Sequence, residues 1–321
     1  MTAGAAGQSA GAAGQAGQSA GAAGQSAGAA GANPGGSGGA PGDKGIFAAP
    51  QAPHTFTYRI AKAYTPTETT AYDVVGLDLF DNDKATIEAL KQKGKTVICY
   101  FSSTYEDWRP DYTALTSPAD KAALDDLLAG PLDAWPGEQW VDLRGFTPTS
   151  AGAAHALLRK IMTGRIQQAS AKGCDAVDFD NVNEQENMVK NKSGQTITAL
   201  DQLAFNTWLA DQAHAASMKA FLKNDLSQIA DDASYPQGKG LAKIFDGAIN
   251  EQCFEFDECD DLAPFRDLQK PVFVIQYKYG ATFPSATHTN LANTLHLNVS
   301  YYAKSSTAAL SGDPTQTFGM W

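Results

Sequence analysis

Eight short runs rich in β-branched and aromatic residues restrict this sequence more than any other feature. They fall at Tyr72–Phe80, Lys95–Ser103, Gln139–Arg144, Cys174–Asn181, Ala220–Asn224, Phe245–Gln252, Pro271–Lys278 and His296–Ala303. Helix-patterned segments separate most of them. Residues 84–93 follow the first run. Ala153–Ala171 carry Leu157, Leu158, Ile161, Met162 and Ile166 at helical spacing, and Leu200–Ala216 carry Phe205, Trp208, Leu209, Ala213 and Ala216 on one stripe. Thr198 with Asp201 three residues later reads as a capping box for the second of these helices. Strands alternating with helices call for a parallel sheet wrapped by helices, and eight units within residues 46–321 predict one α/β domain, a (β/α)8 TIM-type barrel. An open doubly wound sheet is the competing architecture. No Gly-x-Gly-x-x-Gly follows the first run and no phosphate loop is present, which weighs against its nucleotide-binding versions.

Residues 1–45 stand apart. They hold 15 of the 30 glycines, no charged residue before Asp43, and no Val, Ile, Leu, Phe, Tyr or Trp. Such a stretch cannot bury enough apolar surface to offset ordering, so a disordered Gly/Ala/Gln/Ser tether is expected, built on repeats of Ser-Ala-Gly-Ala-Ala-Gly-Gln. Asp43 and Lys44 cancel, so the net charge of −11 belongs to the remainder. That balance argues against nucleic acid or anionic membrane as a partner and suits a cationic one. No apolar run reaches transmembrane length, and Met1-Thr2-Ala3 opens no signal peptide. The chain reads as either cytoplasmic or a mature form whose targeting segment has been removed. A monomer is expected.

In a (β/α)8 barrel the active site lies at the C-terminal ends of the strands. Seven of the runs end in polar residues: Asp78-Leu-Phe-Asp81, Tyr100-Phe-Ser102, Asp142-Leu-Arg144, Asp178-Phe-Asp180-Asn181, Lys223-Asn224-Asp225, Asn250-Glu251-Gln252 and Gln276-Tyr277. Strand alternation sends Val177 and Phe179 toward the helices, and Cys174, Ala176, Asp178 and Asp180 inward. Asp180 is the upper carboxylate. Glu251 ends a strand two places further round, so the two can face one another as a glycosidase pair does. Trp135 and Trp140 in one loop, with Tyr105, Trp108 and Tyr112 in another, supply faces on which sugar rings stack. None of the five histidines ends a polar run, which disfavours a histidine metal site. An all-carboxylate site at Asp78, Asp178 and Asp180 is the one alternative to having no metal. No cofactor is expected.

These blocks taken in order, Asp78-Leu-Phe-Asp, Val97-Ile-Cys-Tyr-Phe-Ser, Trp135-Pro-Gly-Glu, Gly173-Cys-Asp-x-Val-x-x-Asp-Asn, Leu222-Lys-Asn-Asp and Asn250-Glu-Gln-Cys, resemble glycoside hydrolase family 114, the endo-α-1,4-polygalactosaminidases. The resemblance spans about residues 56–303. It implies a TIM-type barrel, secretion or cell-surface tethering, a cationic amino-sugar polysaccharide as substrate, and a retaining mechanism. Asp180 is then the nucleophile and Glu251 the acid/base. Asp78, Asp178 and Asn250 are expected to hold sugar hydroxyls or the amino group. Lys223 or Arg144 would hold a carboxylate ionised, and Asn181 would orient Asp180. Tyr100, Ser102, Trp135, Glu138, Asn224 and Tyr277 complete the expected substrate-binding set. Gln276 replaces a family Glu, which would remove one acid from the rim. A binding protein without turnover, and a glycosidase for another amino-sugar polymer, are the other readings.

Four cysteines allow three full pairings. Cys253 and Cys259 are near enough in sequence to staple one loop, and the secretion implied by the family favours that bond. Cys99 and Cys174 are expected as buried thiols, because the second and fourth runs would not be neighbours in the barrel.

Overall fold

The computed structural model describes residues 45–47, 51–132, 135–280 and 282–319. The expected tether, residues 1–45, lies outside these except for Gly45. Eight strands run parallel: β1 (Phe56–Arg59), β2 (Val74–Asp78), β3 (Thr96–Ser102), β7 (Ala176–Asp180), β8 (Lys219–Lys223), β9 (Gly247–Glu251), β10 (Val272–Gln276) and β11 (Leu297–Tyr301). Each pairs in register with the next in that order. Between β3 and β7 the chain makes an excursion, and β4 (Tyr105–Glu106), β5 (Leu128–Pro131) and β6 (Glu138–Val141) form a separate antiparallel sheet. A last strand, β12 (Gln316–Phe318), runs antiparallel on β11. The protein is a (β/α)8 barrel.

Strand alternation divides the core in two. Phe56, Tyr58, Val74, Ile98, Tyr100, Ala176, Phe221, Ile249 and Phe273 fill the barrel, while Val75, Leu77, Val97, Phe101, Val177 and Phe179 meet the surrounding helices. The large aromatic filling needs compensating glycine: a Cβ on Gly76 would lie 2.6 Å from the Tyr58 ring. The helix Lys84–Gln92 is capped by Asp83, whose side chain accepts from the Thr86 amide. The helix Ala199–Ala215 begins with the reciprocal Thr198/Asp201 box expected from sequence. The helix Ala153–Lys172 ends on left-handed Gly173 (φ 89°). No helix among the described residues is long and apolar enough to cross a membrane.

Two strand expectations are corrected, and one cysteine expectation with them. The run Gln139–Arg144 is not a barrel strand, and Phe56–Arg59, four residues long with no helix after it, is. A β-rich run states that a strand forms, and says nothing of which strand it pairs with. The two differences cancel, so Asp180 and Glu251 still end the fourth and sixth barrel strands. They also make β3 and β7 neighbours. Cys99 and Cys174 are therefore disulfide-bonded, with a Cα–Cα distance of 6.0 Å. Cys174 precedes β7 rather than belonging to it, so the inward alternation does not reach it and it joins Cys99 on the helix-facing side.

Among the described residues no backbone ladder joins β11 to β1. Side chains bridge that seam instead. The Tyr302 hydroxyl accepts from the Tyr58 amide (2.9 Å) and donates to the Tyr58 carbonyl (3.2 Å). Ser300 Oγ donates to the Phe56 carbonyl, and the His54 amide donates to Asn298 Oδ1 (2.6 Å). Tyr302→Phe leaves a buried amide and carbonyl without their partner. Urea denaturation should show a loss of about 1–3 kcal/mol; an unchanged midpoint would mean that the seam is held elsewhere.

Candidate active site

Lys223 ends β8 and points inward two residues beyond Phe221, almost fully buried at 1% exposure. Strands β7 and β9 flank β8, so the last residue of each can reach the same ammonium group. Lys223 Nζ lies 3.0 Å from Asp180 Oδ1 and 3.3 Å from Glu251 Oε2. Those two oxygens are therefore at most about 6.3 Å apart. The other oxygen of each carboxylate accepts from a tyrosine: Tyr100 donates to Asp180 Oδ2 (2.9 Å) and Tyr277 to Glu251 Oε1. Burial works against the charge on Lys223, yet Asp180, Glu251 and Asp178 together outweigh it and hold the lysine above its ordinary range.

Asp178 lies below this group with no exposed surface. Tyr58 donates to its Oδ2 (2.8 Å), and its Oδ1 has no hydrogen-bond partner among the described residues. Burial first, then the charge of Asp180, pushes its carboxyl up to about 7, against the pull of Lys223.

Above Lys223 opens a cavity of about 530 Å³, within the range of small-ligand sites. Tyr100, Asp180, Lys223, Glu251 and Tyr277 line it from the barrel. Asp81, Glu106, Trp108, Arg109, Trp135 and Glu138 line it from the β2 end and the small antiparallel sheet. Asn181, Asn224 and Gln252, the residues directly after Asp180, Lys223 and Glu251, all have positive φ (58°, 53° and 67°). The chain turns away sharply at each point, which leaves the preceding side chain at the mouth. Asn accepts this conformation more readily than most residues. Asn224 Oδ1 also accepts the Glu251 amide (2.9 Å), and Asn181 donates to Ser102 Oγ (3.0 Å).

Several expected site residues lie elsewhere. Asp178, Ser102 and Asn250 are buried and do not line the cavity. Asn250 faces outward by alternation and accepts the Cys253 amide (3.0 Å), beside the Cys253–Cys259 disulfide. Arg144 follows a strand of the excursion rather than of the barrel, so it pairs with Asp142 (2.6 Å) away from the cavity. Asp78 does border the cavity, but its carboxylate is taken by Arg109 (2.6 and 3.2 Å) and by the Phe80 and Asp81 amides. Gln276 is buried on the outward side of β10, so its replacement of a Glu removes no charge from the rim. Sequence reasoning missed Tyr58, Arg109 and Arg165. The alternating run Phe-Thr-Tyr-Arg was a usable signal for the first. For Arg165 there was none, because its partners Glu106 and Asp111 are distant in sequence, and for Arg109 the nearby Glu106 was a signal but Asp78 was not.

The glycoside hydrolase family GH114 description matches residues 37–313. Among solved structures, the chain is similar to Ega3 of Aspergillus fumigatus, crystallised in complex with galactosamine: 32% identity, TM-score 0.60, covering 78% of this chain and 91% of that one. It is also similar to the glycoside hydrolase domain of PelA from Pseudomonas aeruginosa, at 16% identity and TM-score 0.48, covering 78% and 96%. No curated protein matches the chain.

The Asp178 environment has a consequence for stability. In the unfolded chain this carboxyl ionises near 3.8, whereas in the fold it keeps its proton to about 7. Raising pH through that interval therefore favours the unfolded state at this position. Asp178→Asn, nearly isosteric, removes the effect. Its unfolding free energy relative to wild type should rise steadily from about pH 4 to about pH 7 and level off above. Urea denaturation across that series checks it, and a difference independent of pH would overturn the assignment.

Proposed function

The chain belongs to glycoside hydrolase family GH114, and on that premise we propose that it is a retaining endo-hydrolase of α-1,4-linked galactosamine polymer, with Asp180 as nucleophile and Glu251 as acid/base. The observation that carries this reading is the shared lysine. It draws two strand-end carboxylates into one cavity, and the oxygens that meet it are at most about 6.3 Å apart. Retaining pairs stand roughly 5–5.5 Å apart and inverting pairs roughly 6.5–9.5 Å.

In the first step an Asp180 oxygen bonds to the anomeric carbon while the glycosidic C–O bond breaks, and the leaving oxygen takes a proton from Glu251. In the second, water attacks the same carbon, returns its proton to Glu251 and frees Asp180. Tyr100 and Lys223 hold Asp180 in place, so its attacking geometry is set before substrate arrives. Tyr277 and Lys223 do the same for Glu251. The net charge of −11 suits a polycationic substrate. Two disulfides suit an oxidising, extracellular setting. The enzyme acts as a monomer and needs no cofactor.

Asp180→Asn should lower hydrolysis of deacetylated galactosamine polymer by about 10³-fold or more while the polymer still binds, because the amide is nearly isosteric but does not attack. Glu251→Gln should cost about 10²–10⁴-fold, least on substrates with good leaving groups. Product analysis by mass spectrometry, beside chitosan, reads both the rate and the polymer. Near-normal rates in both variants would end this assignment. Binding without turnover in the wild type would make the protein a polysaccharide-binding one.

A further inference from the structure

The small antiparallel sheet sets two carboxylates against one another. Glu106 on β4 and Glu138 on β6 are direct cross-strand partners, an arrangement that destabilises a sheet unless the charge is met. Two arginines come to this spot, and both go to Glu106: Arg109 Nε at 2.8 Å and an Arg165 guanidinium nitrogen at 2.9 Å. Arg109 spends its remaining nitrogens on Asp78. Glu138 receives no hydrogen bond or ion pair to its side chain from the described residues, although it is nine-tenths buried and borders the cavity. The other cavity carboxylates that are this enclosed, or that meet Lys223, have a cation: Asp78 and Glu106 have arginine, Asp180 and Glu251 share the lysine.

Glu138 is also rigidly placed. Its amide donates to the Trp135 carbonyl (3.1 Å) and its carbonyl accepts from the Leu132 amide (3.0 Å). Gly137 before it has φ 94°, and a Cβ there would lie 2.7 Å from Asp107 Oδ1 and 2.9 Å from the Trp108 ring. The two loops are thus pressed edge to edge, joined by the Asp107 amide on the Gly137 carbonyl (3.0 Å). Each presents a half-exposed tryptophan at the rim, Trp108 and Trp135. Flat aromatic faces beside a carboxyl without a counter-cation form a place for a ring bearing a positive charge.

We infer that Glu138 recognises the ammonium group of an amino sugar held against Trp108 and Trp135, and so makes the enzyme select deacetylated over acetylated residues. This deepens the proposed substrate and rests on that reading. The titratable and charged groups facing Glu138 are Glu106, Asp180, Tyr100, Arg109 and Arg165. Burial, then the charges of Glu106 and Asp180, push its carboxyl up to about 8, with the arginines opposing. Near pH 7 it is therefore protonated in the free protein, and an arriving ammonium displaces that proton to solution as the ion pair forms.

The test is calorimetric titration of the full chain carrying Glu251→Gln, which slows turnover and leaves the Asp180 charge on Glu138 in place, near pH 7, in two buffers of different ionisation enthalpy. The probes are a deacetylated α-1,4-galactosamine oligosaccharide, its N-acetylated counterpart and a chitosan oligosaccharide. Binding of the deacetylated oligosaccharide should release close to one proton. Adding Glu138→Gln should weaken that binding by about 10- to 100-fold and abolish the release, while affinity for the acetylated oligosaccharide changes less than about twofold. Equal loss for both forms, or no loss for either, overturns the inference. So does a collapse of kcat on every substrate at unchanged KM when Glu138→Gln is placed in the wild-type background, which would make Glu138 a proton donor. If chitosan binds with the Glu138 dependence and galactosamine oligosaccharide does not, the substrate reading falls and the ammonium site stands. If neither binds, both fall.

Discussion

One buried ammonium group organises this molecule's chemistry. A lysine almost out of contact with water is tolerable only when its charge is met, and Lys223 meets Asp180 and Glu251. The same requirement works in reverse on the carboxylates. Three neighbouring strands converge on a point that no one of them could stabilise alone, and the register of the parallel ladder brings their last residues to it. The tyrosines then take the oxygens that the lysine leaves, so both upper carboxylates are held from two sides.

The excursion between β3 and β7 solves a second charge problem in a different way. Asp78, Glu106 and Asp111 are tied by Arg109 and Arg165 into a buried network that anchors the small sheet to the barrel. Charge-assisted and largely bidentate, such contacts give a loop region the positional precision of a strand. The arginines are fully used in doing so. Glu138, in direct register with Glu106, is left facing the cavity without one. The distribution of charge thus separates the carboxylates that hold the small sheet from Glu138, which faces the cavity.

Most of the barrel was legible in the residues. Apolar alternation and helical periodicity are local properties, and they placed seven of the eight parallel strands, the helices Ala153–Lys172 and Ala199–Ala215, and the Thr198/Asp201 cap. The polar strand ends marked Asp180, Lys223 and Glu251 for the same reason: each residue's face follows from its place in a two-residue period. The expected site residues that missed the cavity did so by depth or by face. Ser102, though inward, lies buried under Asn181, and Asn250 and Gln276 alternate outward, although each belongs to a strand end that does supply the cavity.

What the chain by itself determined, then, was which segments become strands, which become helices, and which ends carry charge. Tertiary structure decided the partners. It admitted Phe56–Arg59 to the barrel and kept Glu138–Val141 out, brought Cys99 beside Cys174, drew Arg165 to Glu106 across 59 residues, and left the Glu138 side chain without an ion pair among the described residues. The reason is physical. A hydrophobic period is written into a few consecutive residues, but the partner of a strand, a thiol or a charge depends on which distant segments the closed barrel makes adjacent, and no local pattern contains that adjacency.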